Sequence, residues 1–316
     1  MKAVVIDRYG TPEVLTVRDV PKPEPWPGQV RIRVQAASVN PIDWRLRSGS
    51  FRFLLPQKFP LILGFDVAGK IDAIGTNVEG FRLGDRVYSR LDSKGGGGYA
   101  EYTVTRSTAI APIPESLSFT EAAALPLVAL TALQGLTRFG HVKARQRVLI
   151  NGASGGVGTA AVQIACALGA EVTGVCSESN AELVKSLGAT TVIDYQSKDF
   201  TLGIERYHMI FDVVANSTYG ACRRVMTDHG IYLTLVPNVA FAFWWVVTKF
   251  TRRRVAFLNS KPSGNDLRVI NRLVNDGKLK AVVDNVMPLE NTTDAHIKSE
   301  SGHVRGKIVL TLDTEA

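Results

Sequence analysis

The sequence predicts an α/β protein of two units, one β-rich and the other a doubly wound parallel sheet, and three observations carry that expectation. The chain has 316 residues, more than the ~250 near which single cores stop growing. Up to about Ile113 it is a succession of short β-branched runs punctuated by Pro and Gly, without helical periodicity. From Arg147 onward strands alternate with amphipathic segments, the texture of βαβ crossovers.

In the first unit KAVVI, VLTVRDV, QVRIRVQAASV, VAGKIDAIG, DRVYS and YAEYTV read as strands with tight connections. Gly95 to Gly98 read as a flexible loop. The first helix is expected in SFTEAAALPLVALTALQGL, because Ser118 and Glu121 make a capping box.

In the second unit RVLIN is a buried strand, and VGTAAVQIACALG places Val157, Ala161, Ile164, Ala165 and Leu168 on one helical face. EVTGVC is the next strand, NAELVKSLG a helix stopped by Gly188, and TTVID, MIFDVV, GIYLTL and VAFL (Val255 to Leu258) are further strands. Six strands is the number in a dinucleotide-binding sheet. After Pro262, DLRVINRLVNDGKL is an amphipathic helix ended by Gly277, followed by the strands AVVDNVMPL and GKIVLTL, which return to the first unit. The expected boundaries are 1–121 with 260–316 for the β-rich unit and 122–259 for the parallel sheet.

VAFAFWWVVT, Val239 to Thr248, is the most apolar window and has about half the ~20 residues of a membrane span. It reads as a buried strand end, pocket wall or subunit contact. The TRRR that follows leaves a peripheral membrane contact as the alternative.

Composition is that of an ordinary globular protein, with 45% apolar and 21% charged residues. Thirty-seven Lys and Arg against 29 Asp and Glu give a net charge of +8, which favours anionic ligands without naming one. The one tight basic run, Arg252 to Arg254, lacks the base-stacking aromatics or zinc spacing of a nucleic-acid module. Cys166, Cys176 and Cys222 form no CxxC pair, as expected in a reducing compartment. MKAVVIDRYG reaches Asp7 and Arg8 too early for a signal peptide, so a cytosolic protein is expected.

The strongest motif is RVLINGASGGVGTAAVQIA, a strand running straight into a glycine-rich turn and a helix. Free N–H groups at such a helix start suit a pyrophosphate. Gly155 and Gly158 hold the second and third glycine positions of the GxGxxG fingerprint and Ala153 the first, in the strand-turn-helix context that marks a dinucleotide site. In that fingerprint a carboxylate about 20 residues on takes the ribose 2′-hydroxyl of NAD. Here Cys176 and Ser177 end the second strand. Their neutrality favours NADP, whereas the adjacent Glu178 opposes its 2′-phosphate.

The stretches AASVNPIDWRLRSG, FPLILGFDVAGKI, FRLGDRVYS, GGGGYAEY, EAAALPLVALTALQGL, VLINGASGGVGTAAVQIA, VTGVCSESNAELVKSLGATTVIDY and GHVRGKIVLTL carry a resemblance that covers nearly the whole chain. It is similar to the zinc-independent quinone oxidoreductase branch of the medium-chain dehydrogenases/reductases. The likeness is greatest to the subgroup of chloroplast envelope quinone oxidoreductase homologues and alkenal or enone reductases, which share NPxDW, the four-glycine loop and a terminal GH-x-x-GK.

The resemblance implies a GroES-like substrate domain built from both chain ends, a Rossmann domain between them, and a homodimer through the edge near Val255 to Leu258. Zinc-dependent relatives place a Cys in the segment matching VNPIDW and a His-Glu pair after the Gly of LGFD. This chain has Asp43 and Trp44 in the first segment and Phe65 and Asp66 in the second, and its histidines, 141, 208, 229, 296 and 303, show no ligand spacing, so no metal is expected. Without a Lewis acid the chemistry implied is hydride transfer from NADPH, with NADH possible, to a quinone or to the activated double bond of an enone or enal.

By the same resemblance Thr131 touches the nicotinamide or its ribose, and Asn40 and Arg45 line the junction of cofactor and substrate. Ser154, Gly155, Gly156, Val157 and Gly158 bracket the pyrophosphate. Ser177, Asn180 and Tyr195 reach the 2′-phosphate, and Lys307 closes over the cofactor. Where the subgroup often has Arg or Lys before that Asn, this chain has Ser179. Asn40, Asp43 and Tyr99 are the catalytic candidates, with Asp43 also readable as a local cap and solvent as the alternative proton source. The competing readings are an enoyl-thioester reductase and a non-catalytic NADPH-binding protein or redox sensor.

Overall fold

The computed structural model describes residues 1–53, 55–237 and 239–312. Internal contacts divide the chain into Met1–Leu130 with Lys261–Asn275 and Ala281–Ala316, and Thr131–Ser260 with Asp276–Lys280.

Among the described residues the strands are β1 (Lys2–Ile6), β2 (Thr16–Asp19), β3 (Gln29–Val39), β4 (Leu61–Ile62), β5 (Asp66–Ile74), β6 (Arg86–Arg90), β7 (Tyr102–Arg106), β8 (Ile110–Pro112), β9 (Arg147–Asn151), β10 (Glu171–Cys176), β11 (Thr191–Asp194), β12 (Tyr207–Asp212), β13 (Met226–Thr234), β14 (Arg254–Phe257), β15 (Val283–Pro288) and β16 (Lys307–Thr311). The α-helices are α1 (Pro41–Arg47), α2 (Phe119–Ala123), α3 (Pro126–Gln134), α4 (Gly156–Ala167), α5 (Ala181–Ser186), α6 (Tyr219–Cys222), α7 (Val239–Val247), α8 (Gly264–Asn275) and α9 (Thr292–Glu300).

The β-rich unit turns on β3. Its first half, Gln29–Arg33, pairs with β7, and its second half, Ala36–Val39, pairs with β16 from the far end of the chain. The sheet order is β15-β16-β3-β5-β6-β8, with a smaller β2-β1-β4 sheet beside it. Because Ile308 is in register with Val39, Lys307 arrives beside Asn40.

The other unit is a parallel sheet in the order β11-β10-β9-β12-β13-β14. Val148, Leu149 and Ile150 of β9, and Ile210 and Phe211 of β12, are fully buried, as expected of strands covered on both faces. The order reverses between β9 and β12, and ligands bind beyond the carboxyl ends of strands at such a switch point.

Several segments differ from expectation: β4, β8 and α6 were not expected, and the helix expected from Ser118 is divided into α2 and α3. NPIDWRLR, read as non-helical, forms α1: Pro41 occupies its first turn and the Asp43 carboxylate accepts the Asn40 N–H at 2.7 Å, a start signal too short for a periodicity to follow it. The apolar stretch at Val239 is the helix α7 rather than a strand end. Between the last two expected strands lies α9, whose polar sequence shows no apolar stripe.

Candidate active site

The nucleotide-loop candidates sit where β9 meets α4. Gly152 takes a φ of +86°, a left-handed conformation natural to glycine, and the Gly152 and Ala153 N–H groups bond to Val175 O at 3.0 and 2.9 Å. Gly155 caps α4. First-turn N–H groups of a helix lack intrahelical acceptors, and here they belong to Gly156, Val157 and Gly158.

The two fingerprint glycines have separable reasons. A Cβ on Gly158 would lie 2.8 Å from the Ala153 backbone and nearer still to Gly152 O, so strand and helix pack too closely for any side chain. A Cβ on Gly155 meets only Gly152 O, at 3.6 Å. Packing inside the protein does not require that glycine, whereas a pyrophosphate approaching the backbone does.

At the end of β10, Ser177 Oγ lies 3.1 Å from Ser179 Oγ and accepts from Asn180 Nδ2 at 2.9 Å. Tyr195, half exposed, is tied by its N–H to Cys176 O. The Cys176 thiol is pushed up to about 11 by burial, so it is a neutral, inert group there. Thr131 donates to Ser260 at 2.9 Å, and both are buried.

The switch point itself holds a cluster that the motif search did not find. Asn151 at the end of β9 donates to Asp212 Oδ1 at the end of β12 (2.9 Å), and Tyr232 donates to Asp212 Oδ2 (2.7 Å). Ala215 and Ser217 N–H groups also bond to Asp212. "NG" and "FD" at two strand ends carry no signal until the strand order is known.

In the β-rich unit Asn40, Asp43, Tyr99 and Lys307 come together as one buried network. Lys307 Nζ donates to Val39 O (2.7 Å) and Asn40 Oδ1 (2.6 Å) and lies 3.7 Å from Asp66. Asn40 Nδ2 donates to Asp66 Oδ2 at 2.9 Å, as does Ser38 Oγ at 3.0 Å, and the Leu127 N–H bonds to Oδ1. Burial pushes the Asp66 carboxyl up and the Lys307 ammonium down, and their mutual attraction opposes both shifts.

Tyr99 Oη donates to Asp43 Oδ2 at 2.9 Å. The Tyr99 ring fits because Gly64 has no side chain, a Cβ there running into it, and Gly96 and Gly98 press the glycine loop onto the Gly64 backbone. This loop is therefore packed rather than loose. Behind Tyr99 stand His296 Nε2 at 3.3 Å and, on its other nitrogen, Arg47 Nη1 at 3.4 Å. An arginine can only donate, which assigns the proton to Nε2 and makes every bond from Arg47 through His296 and Tyr99 point toward Asp43. Burial and the Arg47 charge lower His296 to about 3, and burial raises Asp43 to about 7 and Tyr99 well above its usual value. His296 and Arg47 were missed in the sequence. Arg45 is half-buried, its guanidinium 5.2 Å from the Trp44 ring centre.

Residues 26–115 match the alcohol dehydrogenase GroES-like domain model, and residues 187–310 match that of a zinc-binding dehydrogenase. The chloroplast envelope quinone oxidoreductase homolog of Arabidopsis thaliana is 36% identical over 302 residues, 92% of each chain. The chain belongs to the quinone oxidoreductase family of medium-chain dehydrogenases/reductases. A second relative of the family, the mitochondrial NAD(P)H oxidoreductase RTN4IP1 of Homo sapiens, is 35% identical over 356 residues, 98% of this chain and 89% of that protein. The solved quinone oxidoreductase from Coxiella burnetii superposes with a TM-score of 0.91 at 34% identity, covering 99% of both chains.

As in the zinc-independent quinone oxidoreductases, the two segments that would carry a metal hold neither Cys nor His, and their carboxylates, Asp43 and Asp66, are engaged in the buried network. Asn40 and Asp66 hold the ammonium of Lys307 between them, a cation whose charge opposes a second. Among the described residues no three His, Cys, Asp or Glu converge on one point. The zinc named in one family model therefore does not fit the residues of these two segments.

Proposed function

We propose that this protein is an NADPH-dependent, metal-independent oxidoreductase that reduces quinones or the activated double bond of enones and enals. The observation that carries the cofactor is Gly155, open at the N-terminus of α4 for no packing reason of its own. When bound, a reduced nicotinamide supplies hydride.

The chain's own groups do the rest. The N–H groups of Gly156, Val157 and Gly158, at the start of α4, would hold the pyrophosphate. Ser177, Asn180 and Tyr195 offer neutral hydrogen bonds to a 2′-phosphate, and Thr131, fixed by Ser260, serves the nicotinamide side. With an ammonium in place of a Lewis acid, an isolated carbonyl is a poor acceptor, whereas a quinone or a conjugated alkene is already electrophilic at carbon. The acceptor position for that hydride would be the β-carbon of the conjugated alkene, or the quinone itself. Solvent supplies the proton, because the Asp43 and Tyr99 side chains are fully buried and bonded to each other. In this reading they position Asn40 and are not donors. The relatives' names, quinone oxidoreductase and NAD(P)H oxidoreductase, support the same class.

The test is loss of reduced-nicotinamide absorbance with NADPH or NADH and a panel of quinones, enones, enals and enoyl thioesters. Turnover of quinones or enones is expected. Turnover of enoyl thioesters alone would move the substrate class, and cofactor binding without turnover of any acceptor would leave a non-catalytic binder.

A further inference from the structure

α7 is anchored by one face only. Ala240, Phe241 and Trp244 line a small cavity with Tyr219, Tyr232 and Val255, and the Trp244 and Tyr219 ring centres are 5.0 Å apart with the planes tilted by 59°. Its other face is apolar and open to solvent: Phe243 is 62% exposed, Trp245 and Val246 about half, and Phe250, in the turn that continues the helix, 87%. Large apolar side chains contiguous on a surface mark a place where something else docks.

The charge around this face is one-sided. Residues 213–260 contain six Lys or Arg (Arg223, Arg224, Lys249, Arg252, Arg253 and Arg254) and one acid, Asp228, and that acid is already paired with Arg253 at 3.1 Å. Lys249 lies 3.7 Å from the Trp245 ring centre and Arg223 5.5 Å from that of Trp244, so the cations flank the aromatics directly. A second copy of the same face would bring these like charges together across the contact. An anionic surface neutralises them.

We propose that the outward face of α7 and the basic turn after it form a docking surface for an anionic lipid bilayer, with Phe243, Val246 and Phe250 entering the headgroup boundary and Lys249, Arg252 and Arg254 meeting lipid phosphates. Aromatic residues on one side of a short helix with Lys and Arg beside them are the elements of interfacial binding. No helix among the described residues is long and apolar enough to cross a membrane, so the contact is peripheral. It stands independently of the reaction the protein catalyses.

Flotation of the full chain with vesicles of phosphatidylcholine alone, and of phosphatidylcholine with phosphatidylglycerol, tests it. Binding is expected only to the anionic vesicles and should weaken as salt is raised. Arg252→Glu with Arg254→Glu should lower the partition coefficient by roughly tenfold or more, and Phe243→Ser with Phe250→Ser should lower it at unchanged charge. All four side chains are exposed, so the variants keep the fold, and an unchanged melting curve verifies this. Absence of binding by the parent, or equal binding by parent and variants, overturns the proposal. So does a dimer in sedimentation that the Phe243→Ser/Phe250→Ser variant dissolves, because the face then belongs to a second copy.

Discussion

Replacing Gly155 and Gly158 in turn by alanine separates a glycine that a ligand requires from one that the fold requires. At Gly158 the new Cβ would press on the Gly152 and Ala153 backbone, which cannot swing aside as a side chain can. Overpacking of this kind costs about 1–3 kcal/mol. At roughly 4 °C per kcal/mol for a unit of this size, the melting temperature falls by about 4–12 °C. At Gly155 the nearest atom is 3.6 Å away, and φ of −80° with ψ of 177° is open to alanine. Stability there should change by less than about 1 kcal/mol. The same methyl group stands where the pyrophosphate would close on the helix, so NADPH affinity should fall by tenfold or more, about 1.4 kcal/mol. Circular-dichroism melting paired with a nicotinamide fluorescence titration reads both effects. A Gly155→Ala variant that binds like the parent would remove the pyrophosphate from this loop, and a Gly158→Ala variant that melts like the parent would refute the packing account.

Ser179→Arg should raise the NADPH over NADH preference by roughly tenfold, since a charge-assisted contact to a phosphate is worth ~1.5–3 kcal/mol; an unchanged ratio of kcat/KM values would place the 2′-phosphate elsewhere. Folded Asp43 keeps its proton up to about pH 7, whereas an unfolded Asp loses it near ~3.9. The folded state thus binds more protons in that window, stability falls as pH rises through it, and the loss is complete above it. Asp43→Asn should flatten the slope, and denaturation midpoints with the parent's pH dependence would sink the argument. Lys307→Met strands the buried Asp66 carboxylate and should cost about 3–5 kcal/mol. Adding Asp66→Asn should recover much of it, and a double variant no more stable than the single one would show that the charge pair is not what matters.

Local pattern made the glycine-rich turn between β9 and α4 legible. Buried parallel strands are short apolar runs, a helix start needs its N–H groups free, and Gly155 and Gly158 fall at the spacing both demand. The alternation of strands with helices gave all six strands of the parallel sheet, because a short apolar run is visible in each strand's own residues. The long helix α8 announced itself through a strong apolar stripe and a stop at Gly277. α1 and α9 escaped because their residues of mixed polarity show no clear period, whereas the still shorter α5 was marked by its stop at Gly188.

By itself, then, the sequence determined the strands of the parallel sheet, that a glycine-rich turn of the dinucleotide-binding type follows β9, and that the Cys and His ligands of a zinc site are missing. Only the tertiary structure decided which polar groups meet. Asn40 and Lys307 are 267 residues apart and touch because β16 pairs with the second half of β3, and Arg47 and His296 are 249 apart and touch because α9 packs against α1. Tertiary structure also decided that the apolar window is a helix with one face lining a cavity and the other turned outward, where the sequence had left a buried strand end, a pocket wall, a subunit contact and a peripheral membrane contact open. An apolar run records an affinity for leaving water, but whether the protein's own core or something outside it provides the cover depends on how much of the helix the sheet beneath can reach, and here β13 and β14 reach one face.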